Sequence, residues 1–359
     1  MTKQKKAHKS AGKVLYRAVF MALYAGATGM LAVGVLTKNN AVASNAGPDP
    51  AHYAEHSAST SDLRLVKAHT QLTTTGSGFG AGEAKIHRSV LVKPLDVKLS
   101  HTTGKLWELF RDIGYEIQGV RIHGEVPRLF LASLPQDLRY QQRVDFRKNT
   151  FIQSTLPLIL QVNELILQDR RQVKSLSDQQ AEGRLIGHRE GLWLAELAER
   201  YGAKSADPAV LLEHVDIIPP SLAISQAAEE SGWGTSRFAR EGNALFGQRA
   251  YAPHKKGIVP KNRAKGESFR VRAFDHLIDG VKSYAHNLNS HPAYTDFREA
   301  RAKMRAVPDD VDGYSLAGAL TRYSERGADY VKTIRIIIRA NTLQVFDDAK
   351  LGRSVAPDT

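Results

Sequence analysis

The chain has 359 residues, 42% of them hydrophobic, enough for one sizeable core or one core plus an accessory segment. Fifty Lys and Arg against 37 Asp and Glu leave a net charge of +13. That favours an anionic partner (nucleic acid, phospholipid or an acidic wall polymer) without choosing among them. Cysteine is absent, which excludes disulfide scaffolds, thiolate zinc sites and cysteine nucleophiles together.

Residues 1–17 are basic, with Lys3, Lys5, Lys6, Lys9, Lys13 and Arg17, and residues 18–37 are uncharged and apolar. At about 1.5 Å per residue that run crosses a hydrocarbon layer of roughly 30 Å, with the positive flank on the cytoplasmic side. It is longer than an ordinary signal-peptide core, so we read a single-pass anchor in the inner membrane with the remainder in the periplasm. Ala41-Val-Ala43 fits a signal-peptidase site, and cleavage near Ala43 is the alternative. Residues 38–88 are rich in Ala, Ser, Thr, Gly and His without periodicity, and read as a flexible linker. Gly76-Ser-Gly-Phe-Gly-Ala-Gly82 lies within it and lacks the strand and helix that would make it a phosphate loop.

Residues 89–127 form an accessory segment whose β-branched stretches allow one or two strands. Beyond it, Phe151, Thr155, Leu158, Val162 and Leu165 recur at spacings of four and three, which predicts a buried amphipathic helix with Pro157 as a candidate kink. Asn163 and Glu164 interrupt that apolar run and read as a buried polar pair bonded to backbone or a neighbouring helix. A helix over 191–201 ends at Gly202, and Asp207-Pro208 starts a short one.

Residues 219–247 organise the rest. Pro219 and Pro220 block continuation from upstream, Ser221 is a candidate cap, and Leu-Ala-Ile-Ser-Gln-Ala-Ala-Glu-Glu consists largely of helix formers. Ser231-Gly232-Trp233-Gly234 stops the helix, its glycines supplying positive φ. Glu229 and Glu230 then fall in the last turn, where the negative end of the helix dipole and a nearby Trp would raise a carboxyl pKa. A carboxyl protonated near neutral pH is what glycosidic cleavage requires of a general acid. On helical statistics alone either Glu is instead a solvated surface residue, and periodicity does not choose between them.

The loop 251–272 carries Lys255, Lys256, Lys261, Arg263, Lys265, Arg270 and Arg272 against Glu267 alone. It reads as a basic lip on a cleft or as a solvated loop. Ser268-Phe-Arg-Val-Arg-Ala-Phe274 alternates like a strand, and a closing helix over 331–343 carries Ile334, Ile337 and Ile338. There is no H-E-x-x-H, nucleophile elbow or zinc spacing, so peptidase and esterase readings have no support.

Gln226-Ala-Ala-Glu-Glu-Ser-Gly-Trp-Gly-Thr-Ser-Arg-Phe-Ala, with Asn243-Ala-Leu-Phe-Gly247 after it, resembles the signature of glycoside hydrolase family 73 glucosaminidases. The stretches beginning at Pro127 and Leu156 resemble the bacterial Bax-like branch of glucosaminidase-domain proteins, so the likeness covers about residues 127–345. It implies that Glu230, directly before Ser-Gly-Trp-Gly, is the catalytic acid and that Glu229 is not. It maps the second carboxylate onto Asp279, two positions being altered from the family form, His276 for Ser and Asp279 for Glu. Asp275 is the neighbouring alternative. Tyr323 matches the active-site Tyr, though the turn after it departs from the commoner form, and a packing role is what a Tyr at a helix boundary usually has. Gln226, Trp233, Asn243, Phe246, Phe274, His276 and Tyr330 are the implied substrate-binding residues.

The expected fold is α+β: a mainly helical, lysozyme-like domain over residues 128–347 with a small β-lobe, the cleft lying between them, and a flexible tail over 348–359. The expected activity is that of an endo-β-N-acetylglucosaminidase on peptidoglycan glycan strands, needing neither metal nor cofactor. A catalytically weak or silent, membrane-tethered murein-binding scaffold is the alternative, favoured by loss of the usual second Glu. The expected partners are glycan strands and the inner membrane. A nucleic-acid partner rests on net charge alone and conflicts with export, and the sequence names no protein partner.

Overall fold

The computed structural model describes residues 102–352 apart from 253, 262, 264, 265 and 307–310. The basic N-terminus, the apolar run over 18–37, the linker and the end of the tail lie outside the described residues.

Helix α1 (Thr103–Asp112) and helix α2 (Ile117–His123) occupy the accessory segment, followed by a two-residue strand β1 (Glu125–Val126). The expectation of strands there gives way mostly to helix, because Leu106, Phe110, Ile117 and Val120 bury one helical face each. Asp137 fixes the start of α1 from a distance, its Oδ1 accepting from Thr103 N at 2.8 Å and Thr103 Oγ1 at 2.7 Å. Strand β1 pairs in parallel with β5 (Lys350–Leu351), Glu125 opposite Lys350 and Val126 opposite Leu351. Lys350 and Leu351, expected in a tail, are therefore held in place, and the accessory segment is stitched to the end of the domain. Arg121 adds to the seam by donating to the carbonyls of Asn341 and Thr342, both at 2.8 Å.

Helix α3 (Val144–Ala181) runs 38 residues and continues through Pro157. It is apolar and long enough to cross a membrane, but 78% of its most apolar window is buried within the protein, which makes it a core helix. Asn163 spends both ends of its amide on the backbone of Ile218, donating from Nδ2 at 2.8 Å and accepting at Oδ1 at 3.1 Å. Glu164 takes a forked pair of bonds from Arg128. Asn163 is the buried, backbone-bonded polar residue expected in an apolar run, whereas Glu164 is only part-buried and pairs with a side chain that lies outside any helix.

Helix α4 (His188–Tyr201) ends at the left-handed Gly202, and α5 (Pro208–His214) starts with Asp207 accepting from Ala209 N. The central helix α6 (Pro220–Ser231) is wrapped by α3, by α10 (Gly313–Leu316) and by α11 (Ala328–Ala340), so that every residue from 220 to 228 is buried. Its N-terminus differs from the sequence expectation. Ser221 lies inside the first turn rather than capping it, and the acceptor for that turn is Asp347, which takes Ser221 N and Ser221 Oγ at 2.7 Å each and Gly313 N at 3.1 Å.

Helix α7 (Arg237–Gly242) leads into a three-stranded antiparallel sheet of β2 (Arg249–Ala250), β3 (Gly257–Ile258) and β4 (Arg270–Arg272), in the order β2-β4-β3. This is the β-lobe, three residues long at most in any strand. The chain returns through α8 (Leu277–Ser290) and α9 (Thr295–Met304) to the helical body. Beneath them, buried Asp216 gathers Arg305 at 2.7 Å, Arg170 at 3.5 Å and Arg301 at 3.8 Å, tying α3 and α9 to the turn ahead of α6. Burial works against ionisation of Asp216, but the guanidinium groups outweigh it and hold its pKa below the usual carboxylate value.

Candidate active site

Glu230 stands in the last turn of α6, which closes through three consecutive positive-φ residues, Gly232, Trp233 and Gly234. At Gly234 a Cβ would meet Leu134 Cδ1 at 2.5 Å, so only glycine lets the chain pass under that side chain. The Glu230 carboxyl is half-buried, and burial pushes its pKa up to about 7 from the usual 4.5. A hydrogen bond from Tyr330 opposes the rise, the charge of Glu229 adds to it, and Arg326 opposes it. The carboxyl is thus substantially protonated at neutral pH.

Glu229 is spent elsewhere, in a 2.6 Å ion pair with Arg326. The two adjacent carboxyls that periodicity left equivalent have separate environments.

A directed chain of hydrogen bonds runs behind Glu230. Tyr284 OH donates to Gln226 Oε1 at 2.7 Å, Gln226 Nε2 donates to Tyr330 OH at 3.0 Å, and Tyr330 OH bonds the Glu230 carboxylate. Gln226 is wholly buried, so its amide is oriented by the two tyrosines and cannot touch a sugar. Tyr330 is likewise buried, with Tyr323 stacked on it at 5.5 Å and 12°. The Tyr323 hydroxyl donates to the Phe246 carbonyl at 3.3 Å, so of the two tyrosines it is Tyr330 whose hydroxyl meets Glu230.

Three more of the residues expected to bind substrate make packing or backbone contacts. Phe246 is 3% exposed and stacks on Tyr284 at 3.9 Å, leaving only its backbone near the site. Asn243, left-handed at the end of α7, uses Nδ2 to hold the carbonyls of Phe274 and Asp275, both at 3.1 Å, and so fixes the entry to α8. The Trp233 ring packs edge-on against Phe151 at 5.8 Å with Lys148 above it at 4.9 Å. Phe274 carries the Arg272 guanidinium over its ring at 4.9 Å, and His276 precedes α8 with a buried Nδ1 that has no partner among the described residues.

Asp279 lies in the first turn of α8 and is the charge partner of Arg272, whose Nη1 also bonds Ser283 Oγ at 2.8 Å. Asp275 is exposed and paired with Lys256 at 2.6 Å, which holds its carboxyl below the usual range. The chief charges acting on Glu230 are Glu229 and Arg326, and neither aspartate is among them. The basic loop is partly self-satisfied, since Arg263 donates to the carbonyls of Ser268 and Phe269, and Arg270 to that of Ala252. Among the described residues no three His, Asp or Glu side chains are grouped to hold a metal ion.

Two contributors went unread in the sequence. Gly247, left-handed at φ 63, faces Glu230, with its absent side chain leaving 3.0 Å to Oε2. Tyr284 shares a helical stripe with Leu277, Val281 and Leu288, and such a stripe signals core, which says nothing about where the hydroxyl points.

Over 205 residues, 55% of this chain and 71% of that protein, the sequence is 35% identical to Protein bax of Escherichia coli (strain K12). The chain belongs to the Bax-like glucosaminidase-domain proteins. Residues 207–343 match the family model described as Glucosaminidase, mannosyl-glycoprotein endo-beta-N-acetylglucosaminidase. That span opens at the cap of α5 and closes just after α11, so it contains Glu230, the β-lobe, Asp279 and both tyrosines of the stacked pair. The catalytic domain of the autolysin Auto from Listeria monocytogenes is a structural likeness at 16% identity, covering 48% of this chain and 96% of that one with a TM-score of 0.29. So slight a superposition adds nothing to the assignment.

Proposed function

We propose that this Bax-like protein is a peptidoglycan hydrolase, an endo-β-N-acetylglucosaminidase that cleaves β-1,4 bonds of glycan strands with Glu230 as general acid. The observation that carries the reading is the setting of Glu230: a half-buried carboxyl pushed up to about 7 at the end of α6, hydrogen-bonded by Tyr330, within a matched glucosaminidase domain. Such a group gives its proton to the departing glycosidic oxygen near neutral pH. Positive charge then developing at the anomeric carbon needs a partner, and Asp279 or the acetamido group of the substrate supplies it. In the lysozyme-like arrangement expected of the family, the strand would lie between the helical body and the β-lobe. The apolar run over 18–37 supports an inner-membrane anchor with this domain in the periplasm.

The second reading, a murein-binding scaffold without activity, is favoured by Asp279 facing Arg272 instead of appearing among the charges at Glu230. Incubating the full chain and its Glu230→Gln variant with purified peptidoglycan, and measuring released reducing ends, separates the two. Release by the parent alone supports the hydrolase and its acid. Binding without release by either protein leaves the scaffold.

A further inference from the structure

Between α1, α2 and α3, on the segment ahead of the matched domain, lies a cleft of about 260 Å³. Trp107, Phe110, Tyr115 and Phe146 supply aromatic wall, and Gln118 and Asn149 supply amides at the rim. Trp107 is 45% exposed although it is among the largest apolar side chains in the protein, an arrangement that leaves indole surface open to a ligand. Phe110 and Tyr115 brace the wall edge to face at 5.3 Å. The buried Tyr115 hydroxyl, 2% of the residue being exposed, has no hydrogen-bond partner among the described residues. The Gln153 amide holds the Tyr115 backbone carbonyl at 2.5 Å, so the wall is pinned to α3 rather than left to a mobile loop.

The chemistry of the wall selects a ligand class. A pyranose has an apolar C–H face that stacks on an aromatic ring and an equatorial rim of hydroxyls that amides can bond. Arg111, stacked over one face of Trp107 at 5.0 Å, is already paired with Asp112 at 3.3 Å, and Glu116 adds a further carboxylate at the mouth, a setting that suits a neutral polar ligand better than an anion. The volume falls just below the roughly 300 to 1,000 Å³ of sites for drug-sized molecules, which suits one sugar unit. We propose that this cleft is an accessory subsite for a neutral amino sugar, an N-acetylglucosamine unit of the glycan strand, seated on Trp107. The source of the sugar rests on the peptidoglycan reading above.

The test uses the full chain carrying Glu230→Gln, which removes turnover, and measures its co-sedimentation with insoluble peptidoglycan with and without Trp107→Ala. Loss of the stacking platform is expected to weaken retention roughly tenfold. Soluble N-acetylglucosamine oligomers are expected to displace the protein that keeps Trp107. Retention unchanged by Trp107→Ala overturns the proposal, as does displacement by stem-peptide fragments but not by the oligomers. If Trp107→Ala lowers the melting temperature, Trp107→Tyr decides, since it keeps an aromatic face: recovered retention supports the subsite and unrecovered retention overturns it. Because this assay reads retention alone, the subsite can fail while the parent still releases reducing ends, and can stand when it releases none.

Discussion

The Oε2 of Glu230 lies 3.0 Å from the point where a Cβ on Gly247 would stand. The end of the Asn-Ala-Leu-Phe-Gly stretch and the end of α6 are therefore one piece of machinery, with the left-handed glycine leaving the carboxyl its place. Gly247→Ala would push the carboxyl aside and strain a φ of 63. The expected outcome is a fall in the rate of reducing-end release of roughly tenfold or less, since the carboxyl oxygen at 3.0 Å has to yield only slightly, with a stability loss of about 1 kcal/mol from the backbone. Thermal melts beside activity assays separate the two effects, and activity retained in a folded Gly247→Ala protein would refute the contact.

Lifting Glu230 from 4.5 to about 7 has a consequence for stability. Between those pH values the folded state keeps a proton that the unfolded chain has released, so stability falls as pH rises and levels off above about 7. The size is up to about 3 kcal/mol. Glu230→Gln removes the titration, so its melting temperature should exceed the parent's at pH 8 and approach it at pH 4. An equal difference at both pH values would assign the effect to something other than ionisation.

Tyr330→Phe removes the hydrogen bond that favours the ionised carboxyl and strands Gln226 Nε2 without its acceptor. The pKa of Glu230 should rise further. If it acts as the acid, the alkaline limb of the pH–rate profile moves upward by roughly one pH unit. Tyr323→Phe, whose hydroxyl bonds the Phe246 carbonyl instead, should leave that limb where it is. A shift caused by Tyr323→Phe and not by Tyr330→Phe would reverse these assignments.

What the sequence made legible follows from the range of the forces involved. Helix α6 and its stop were readable because prolines, helix formers and glycines act within a few residues of where they stand. The long stripe from Phe151 announced α3, and Asn163 turned out to be the backbone-bonded polar residue such a stripe implies. Strand β4 was visible as an alternation, but β1 and β5 are two residues each and exist only because Glu125 meets Lys350 across the fold. The same limit hid Asp347 at the start of α6, the closeness of Gly247 to Glu230, and Arg326 on Glu229. Gln226, Asn243 and Phe246, marked by their neighbourhood in the motif, are buried, because the order of residues in a motif does not say which of their atoms reach the surface.

For the second carboxylate, paired substitutions give the plainest contrast. Asp275 is exposed on Lys256, so Asp275→Asn should change reducing-end release by no more than about twofold. Asp279→Asn removes the charge beside Arg272 and, on the proposed mechanism, should slow release by roughly 100-fold or more. A mild Asp279→Asn phenotype would instead leave the acetamido group of the substrate as the partner of Glu230. The comparison is to be made on proteins of matched melting temperature.

Asp347 ties the C-terminal segment to α6, and three donors converge on it from Ser221 and Gly313. Asp347→Ala leaves the buried first turn of α6 without its acceptor, which should cost about 2 to 3 kcal/mol. For a domain of this size that is a fall of roughly 5 to 10 °C in melting temperature. Burial lifts this carboxyl to about 6 from 3.8, the hydrogen bonds from Ser221 and Gly313 opposing the rise. Its sign matches that of Glu230: the folded state holds the extra proton, so ionisation on going from about pH 4 to pH 6 lowers stability. Asp347→Ala should accordingly flatten the pH dependence of stability in that window while Glu230→Gln flattens it up to about 7. If Asp347→Ala unfolded no more easily than the parent, α6 would be held by its packing against α3, α10 and α11, and the C-terminal segment would have no hold on the helix that carries Glu230.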